Sequence, residues 1–385
     1  MNKTPKKLKI AIVSDAVYPY NIGGKEKRIY ELSTRLAKKG HQVTIYTMKW
    51  WEGTRQHPLG SSVTHEGVRF EAISPLYPLY DGERRSIKEA IMFALNCFKL
   101  ITKDFDIIDA DHMPHLILFP LKIVTILKRK KLFVTWNEVW GLDYWNKYLG
   151  KLGRLAYLIE KLSSLLPNEI ISVSEHTTLM FKNNLSTNIP IHTIPLGIDI
   201  NLITRLMPSK TKSDILFAGR LMKHKNIDVL IKSVSVLKKE FPHITCIIVG
   251  NGPEEFKLKQ LVNKLELAKN IKFYKFLKEH NQLYSLMKSS KIFVFPSTRE
   301  GFGLAAIEAN AAGIAVITTN HKNNATTELI SNGINGSIVD LDKNSFAASI
   351  KYYITTKSDS GRHINFARKY DWSNLVDKVE KVYLS

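Results

Sequence analysis

Cysteine is almost missing: the 385 residues include two, Cys97 and Cys246. That is too few for a disulfide framework or a Cys-rich metal site, and it suits a reducing compartment. Long apolar runs are missing too. The longest, Leu116 to Leu127, is broken by Pro120 and Lys122 and falls well short of the ~20 residues that cross a bilayer. Met1 to Lys9 is basic but runs straight into the β-rich Ile10 to Val13, without the apolar stretch or cleavage site of a signal peptide. A cytoplasmic protein is expected. There is no Walker A lysine pattern, which argues against a P-loop nucleotidase, and neither an internal repeat nor a low-complexity segment.

Acidic residues are scarce relative to basic ones, 35 against 56, giving a formal charge of +21. The excess is spread evenly, with 28 basic and 18 acidic residues up to Pro195 and 28 and 17 beyond it. It is therefore not a nucleic-acid-binding arm. A general positive field favours anionic partners such as phosphorylated small molecules, acidic lipid surfaces or RNA, and solubility alone also explains it.

With 44% hydrophobic and 24% charged residues the chain reads as globular, and its length suggests about two domains. Lys9 to Ser14 predicts a strand, Lys25 to Lys39 a helix stopped at Gly40, and Gln42 to Thr47 the next strand. Further strands are expected at Asp106 to Ala110, Leu132 to Thr135, Glu169 to Val173 and His192 to Ile194. Helical patterns lie around Ser86 to Lys103, Leu116 to Leu127 and Leu152 to Leu165. After Gly197-Ile198-Asp199 a second series starts, with strands at Asp214 to Ala218, Ile244 to Val249, Ile271 to Tyr274, Ile292 to Phe295 and Ala315 to Thr318. The alternation predicts an α/β protein of two doubly wound, Rossmann-like domains, parallel in their sheets, meeting near residues 195 to 212 around a central cleft.

Four segments carry candidate chemistry. In Phe295 to Glu308 a strand ends, Gly301 and Gly303 let the backbone approach a ligand, and a helix of small residues begins, the setting that binds phosphate. If that stretch is mostly helical, Glu300 and Glu308 stand roughly 12 Å apart, too far for a glycosidase pair of ~5 to 9.5 Å. They could bracket a long ligand, or be two solvated glutamates on a turn. In Phe217 to Asn226, Arg220 offers a planar fork and Lys225 a point charge for a diphosphate, unless both are merely solvated. Gly250-Asn251-Gly252-Pro253 starts like a dinucleotide fingerprint, but Glu255 stands where the third glycine belongs. Gly23-Gly24 opens a helix after a longer loop, either a phosphate cradle or an ordinary turn. Two weaker features are Asp109-Ala110-Asp111 with His112 and His115, a short metal-binding pattern or a plain strand end, and the basic run Lys128 to Lys131. That run either rests on an anionic membrane or is the charged exit of a buried helix.

In this order the segments resemble glycosyltransferase family 4 (glycosyl transferases group 1), the retaining enzymes of GT-B architecture. The resemblance runs from Gly23-Gly24 and Gly40-His41-Gln42-Val43 through Ile194 to Asp199, Gly219-Arg220, Val249 to Pro253 and the Glu300 to Glu308 motif, to Trp372 and Tyr383. It implies a domain of residues 1–195 on the acceptor side, a nucleotide-sugar domain of residues 196–365, and a last helix, 366–385, crossing back to the first. It also implies transfer of a hexosyl group from a nucleotide-diphosphate sugar to an acceptor hydroxyl of a glycan, lipid-linked glycan or polysaccharide precursor. No cofactor, metal or nucleic acid is expected. Arg220, Lys225 and Glu300 would be catalytic. Gly23 and Gly24 would close on the diphosphate, the amides of Gly301, Phe302, Gly303 and Leu304 would bind it with Glu300, and Glu308 would hold the ribose. Asn251, Gly252, Phe276 and Leu277 would line the nucleotide side, and Asn137 and Glu138 would touch the acceptor or the sugar. Two departures stand out: Asn137 replaces a histidine usual in relatives and cannot take a proton at neutral pH, and Lys275 replaces a glycine. Alternatives are a nucleotide-sugar epimerase or hydrolase on the same architecture, a binder without turnover, and a peripheral position on the inner membrane face.

Overall fold

Short β-branched runs become strands here because they are buried on both faces, as parallel strands covered by helices must be. The computed structural model describes residues 6–51, 62–82, 84–185, 187–277, 279–356 and 358–385. The first five residues of the basic start lie outside them. The fold divides into two units, Met1–Pro195 with Ser373–Ser385, and Leu196–Trp372.

The first unit begins β1 (Lys9–Val13), α1 (Gly24–Lys38), β2 (Gln42–Met48), β3 (Ser62–His65), β4 (Val68–Ser74), β5 (Tyr80–Asp81), β6 (Arg84–Arg85) and α2 (Ile87–Cys97). It continues with β7 (Ile107–Asp111), α3 (Leu118–Lys128), β8 (Lys131–Trp136), α4 (Gly141–Leu149), α5 (Gly153–Ser163), β9 (Glu169–Ser172), α6 (Glu175–Leu185) and β10 (Ile191–Thr193). Eight strands form one sheet in the order β10-β9-β8-β7-β1-β2-β4-β3, in which only the β3–β4 hairpin is antiparallel. From β1 the chain moves first toward one edge, then returns and moves toward the other. Because parallel crossovers are right-handed, the connections made in the second direction share one face of the sheet. The core agrees: Phe93 and Cys97 of α2, Leu121 and Val124 of α3, and Phe181 of α6 pack with Ala11, Ile108, Val134 and Trp136.

The second unit holds α7 (Ile200–Arg205), β11 (Ser213–Ala218), α8 (Ile227–Leu237), β12 (Cys246–Val249), α9 (Glu255–Lys264), β13 (Ile271–Tyr274) and α10 (His280–Lys288). Then follow β14 (Ser290–Phe295), α11 (Leu304–Ala311), β15 (Ala315–Thr319), β16 (Gly336–Val339), α12 (Lys343–Thr355) and α13 (Ser360–Ala367). Its six strands are parallel in the order β13-β12-β11-β14-β15-β16.

The last helix, α14 (Trp372–Tyr383), starts in the second unit and ends in the first. Residues 366–372, expected to travel with it, pack in the second unit instead. The reason is a backbone tie: Ile198 N donates to Tyr370 O (2.9 Å) and Trp372 N to Ile198 O (3.0 Å). Gly197 has to be a glycine there, since a Cβ would lie 2.3 Å from the Trp372 indole. At its far end α14 puts the Tyr383 ring 5.3 Å from that of Phe133 and its hydroxyl on Asp109.

Candidate functional site

In each sheet the strand order reverses once, and ligands of open α/β sheets bind beyond the carboxyl ends at that point. In the second unit the reversal lies between β11 and β14. The turns leaving these two strands are the ones that carry Arg220, Lys225 and Glu300. They are stitched together: Thr298 N donates to His224 O (2.9 Å), and Asn226 Nδ2 donates to Pro296 O (3.0 Å) and Thr298 Oγ1 (3.2 Å). Asn226 does this from a left-handed backbone, φ 46°, which asparagine tolerates better than most residues. Neither Asn226 nor Thr298 was singled out from the sequence, although an asparagine between two basic residues and a helix start is a capping signal.

Across the stitched turns Lys225 Nζ meets Glu300 Oε1, and the same ammonium stands 4.7 Å from the centroid of the Phe295 ring. Arg220 is exposed on the β11 turn. Glu300 is fixed by its backbone: its N donates to Asn323 O (3.0 Å) and its O accepts from Ala325 N (3.0 Å). The helix α11 begins only at Leu304, so the spacing of about 12 Å expected for Glu300 and Glu308 from a mostly helical stretch does not apply to residues 300–303. Gly303 supplies the N-cap with φ +98°, and no side chain caps that end. Thr326 Oγ1 is buried without a hydrogen-bond partner, 2.2 Å from where a Cβ on Gly303 would sit. A helix start with no side-chain cap and a buried unpartnered hydroxyl beside it suits an anionic oxygen. Phe302 contributes backbone alone, because its ring is buried 5.7 Å from that of Tyr370.

Glu308 is buried on α11 and its Oε1 accepts from Tyr284 Oη (2.8 Å) and faces His280 Nε2 (3.2 Å). Asn251 is exposed after β12, and its Oδ1 accepts from Phe276 N (3.2 Å), which joins the two turns expected to line the nucleotide side. Gly250 and Gly252 answer to packing: their Cβ atoms would lie 1.9 Å from Gly219 O and 2.3 Å from Leu221 O. This accounts for a glycine pair without the third glycine of a dinucleotide fingerprint.

In the first unit the reversal lies between β1 and β7. Lys25 bridges it, with Nζ 2.8 Å from Asp15 Oδ1, in contact with Asp111 Oδ2 and 3.3 Å from Met113 O. Burial would raise the Asp111 carboxyl, but Lys25 beside it and His112 hold it well below the usual carboxylate range. Asn137 Nδ2 donates to Asp111 Oδ1 (2.9 Å), and Glu138 accepts from Trp140 Nε1 (2.7 Å). Gly23 and Gly24 lie at the start of α1, where the Glu26 carboxylate leans over Gly23. Behind Lys25 a cavity with room for about one water is lined by Ile12, Arg28, Asp109, Asp111, Thr135 and Asn137. Asp109 accepts from Thr135 Oγ1 (3.1 Å) and from Tyr383 Oη. Among the described residues no group of three His, Cys, Asp or Glu side chains is placed to hold a metal ion.

Nothing in the sequence marks Glu89, an ordinary residue type on α2. It is fully buried, both its oxygens lack a hydrogen bond, and Arg85, itself on Asp15, stands 3.8 Å away. Burial, helped by Asp15, pushes its pKa up to about 7 against the pull of Arg85 and Lys25. The folded value exceeds the unfolded one of 4.5, so the fold loses stability as pH rises between them, up to about 3 kcal/mol. Glu89→Gln removes this loss. The melting temperature of the variant relative to the parent should climb between pH 4.5 and 7, and a constant difference over that range would overturn the assignment.

Residues 22–202 match the profile described as Glycosyltransferase Family 4, and residues 203–370 that of Glycosyl transferases group 1. Over 402 aligned residues, 98% of this chain and 95% of the relative, the sequence is 25% identical to glycogen synthase of Mycobacterium tuberculosis. The fold superposes on sucrose-phosphate synthase from Thermosynechococcus elongatus with a TM-score of 0.80 at 18% identity, covering 98% of each chain. Anabaena HepE, solved with UDP-glucose, gives 0.70 at 17% identity, again over 98% of each chain.

Proposed function

This chain belongs to the family 4 and group 1 glycosyltransferases of the GT-B type, and from that premise we propose that it transfers a hexosyl group from a nucleotide-diphosphate sugar to an acceptor hydroxyl, with retention and without a metal. The observation that carries the reading is the meeting of Lys225 and Glu300 across the strand reversal, beside the uncapped start of α11. Arg220, Lys225 and the helix-end amides supply positive charge where the diphosphate gains negative charge as it leaves. Glu300, exchanging Lys225 for the sugar, accepts from its hydroxyls, and Glu308 takes the ribose. Asn251, Gly252, Phe276 and Leu277 serve the nucleotide side.

The bond from the anomeric carbon to the diphosphate oxygen breaks while that to the acceptor oxygen forms on the same face. The acceptor's proton passes to the departing phosphate oxygen, so no side-chain nucleophile is required. Asn137 and Glu138 contact the acceptor or the sugar, and the acceptor is a glycan, a lipid-linked glycan or a polysaccharide precursor. The reaction would run in the cytoplasm, a reading that two buried, free cysteines support.

A nucleoside diphosphate at ~100 times its Kd stabilises the fold by about 2.7 kcal/mol, a shift of several degrees in a thermal-shift screen. No shift with any of them at saturation would overturn the reading. Turnover should survive a chelator. Loss of activity with the chelator and its return with manganese would refute metal independence, and a sugar epimerised or rapidly hydrolysed without acceptor would replace the transferase by a relative acting on the donor alone.

A further inference from the structure

The helices α2, α3 and α5 of the first unit carry large apolar side chains on their exposed faces. Along α2 the outward positions are Ile87, Ile91 and Leu95, four apart, and the 3-10 turn that follows adds Phe98 and Ile101. On α3 they are Ile123, Ile126 and Leu127. Leu155, Leu158 and Leu162 run along α5 at helical spacing, with Leu152 just before the helix and Leu165 just after it. All are between 39% and 68% exposed. The three strips are neighbours: α2 packs on α3, and both α2 and α5 pack on the short turn His115–Ile117. Helices of soluble proteins normally turn polar residues to water, and monomers rarely expose a contiguous apolar patch above a few hundred Å².

Charge selects the occupant. Over residues 87–102, 118–130 and 152–165 the acidic residues are Glu89 and Glu160, and both are fully buried. The charge these helices show outward is therefore cationic, with Lys88, Lys99, Arg129, Arg154 and Lys161 all exposed. A symmetric pairing of two copies through this face would set these cations against their own kind. Anionic headgroups neutralise them while the leucines and isoleucines leave water. Each of the three helices has 11 residues, too short to cross a bilayer but suited to lying in its surface.

We propose that the outer face of α2, α3 and α5 docks in the interfacial plane of a membrane rich in anionic lipid. The face is distinct from the strand ends that carry the candidate sites, so docking does not depend on the transferase reading. It would present an acceptor anchored in the same membrane, and that one clause rests on the reading.

Flotation of the full chain with vesicles tests the proposal. Phosphatidylcholine vesicles containing phosphatidylglycerol should bind it ~10-fold more tightly than phosphatidylcholine alone, and high salt should weaken the binding. The pair Leu95→Glu and Leu158→Glu, both at exposed sites, should lower partitioning ~10-fold with melting and the nucleoside-diphosphate shift unchanged. Lys88→Glu with Lys161→Glu should remove the preference for the anionic lipid. A parent protein that stays unbound while still shifted by a nucleotide would overturn docking and leave the transferase reading standing. A dimer in gel filtration that the leucine pair turns into monomers, with no vesicle binding, would assign the face to a second copy and likewise overturn it.

Discussion

Arg220→Ala should lower turnover by about 100-fold or more, the loss of ~2.7 to 4 kcal/mol typical for one donor to a developing anion. The turn itself should survive. Its geometry is held by main-chain bonds, from Gly219 N to Val249 O (3.0 Å), Leu221 N to Asn251 O (2.9 Å) and Met222 N to Arg220 O (2.9 Å), all of which an alanine keeps. The effect should fall on kcat more than on donor affinity, because charge on the bridging oxygen grows only as the bond breaks. Arg220→Lys should recover part of the loss, since an ammonium supplies charge without the two-pronged geometry. Steady-state kinetics beside a nucleotide titration separate these effects. Near-normal turnover in the alanine variant would remove Arg220 from the catalytic set.

The strand series was legible because buried parallel strands leave continuous apolar runs, and β11, β12 and β14 are buried nearly throughout. What the sequence hid is mostly short or tertiary. The β3–β4 hairpin turns on Glu66 and Gly67, both at positive φ, a Glu-Gly pair whose turn signal is weaker than that of the familiar Asp-Gly. The strand β16 opens on Gly336 and Ser337 and is only half-buried beyond its first residue, so it leaves no continuous apolar run. Of the site, the glycines, Arg220, Lys225 and Glu300 stood out since each follows a strand. That the turns after β11 and β14 meet did not, because neighbouring in the sheet is decided by a crossover that skips two strands. Asp15, Lys25, Arg85 and Glu89 were invisible for another reason: they are ordinary residue types, and only burial makes their charges matter. Burial also changes the reading of Asp109 and Asp111, which by spacing resemble metal ligands but are engaged by Tyr383 and Lys25.

Gly250→Ala should destabilise the second unit by about 3 kcal/mol or more, combining backbone strain with overpacking. Gly250 has φ +146°, and a Cβ would lie 1.9 Å from Gly219 O and 3.0 Å from Gly219 C, both main-chain atoms that cannot rotate away. Relaxation in the other direction is blocked as well. Gly250 N donates to Tyr274 O (2.9 Å), and β12 is paired with β11 on one side and β13 on the other. The chain must therefore separate β11 from β12 at their carboxyl ends, where Arg220 and Asn251 begin their turns, and nucleotide binding should weaken together with stability. Gly24→Ala is the matched control. Nothing lies within 4 Å of its Cβ position, so the added methyl meets open space and stability should change by less than about 0.5 kcal/mol. Urea denaturation of the two variants measures the contrast. Equal midpoints would mean that the turn after β12 yields more readily than its contacts with Gly219 imply, and that the close approach of the two turns does not hold the nucleotide side in place.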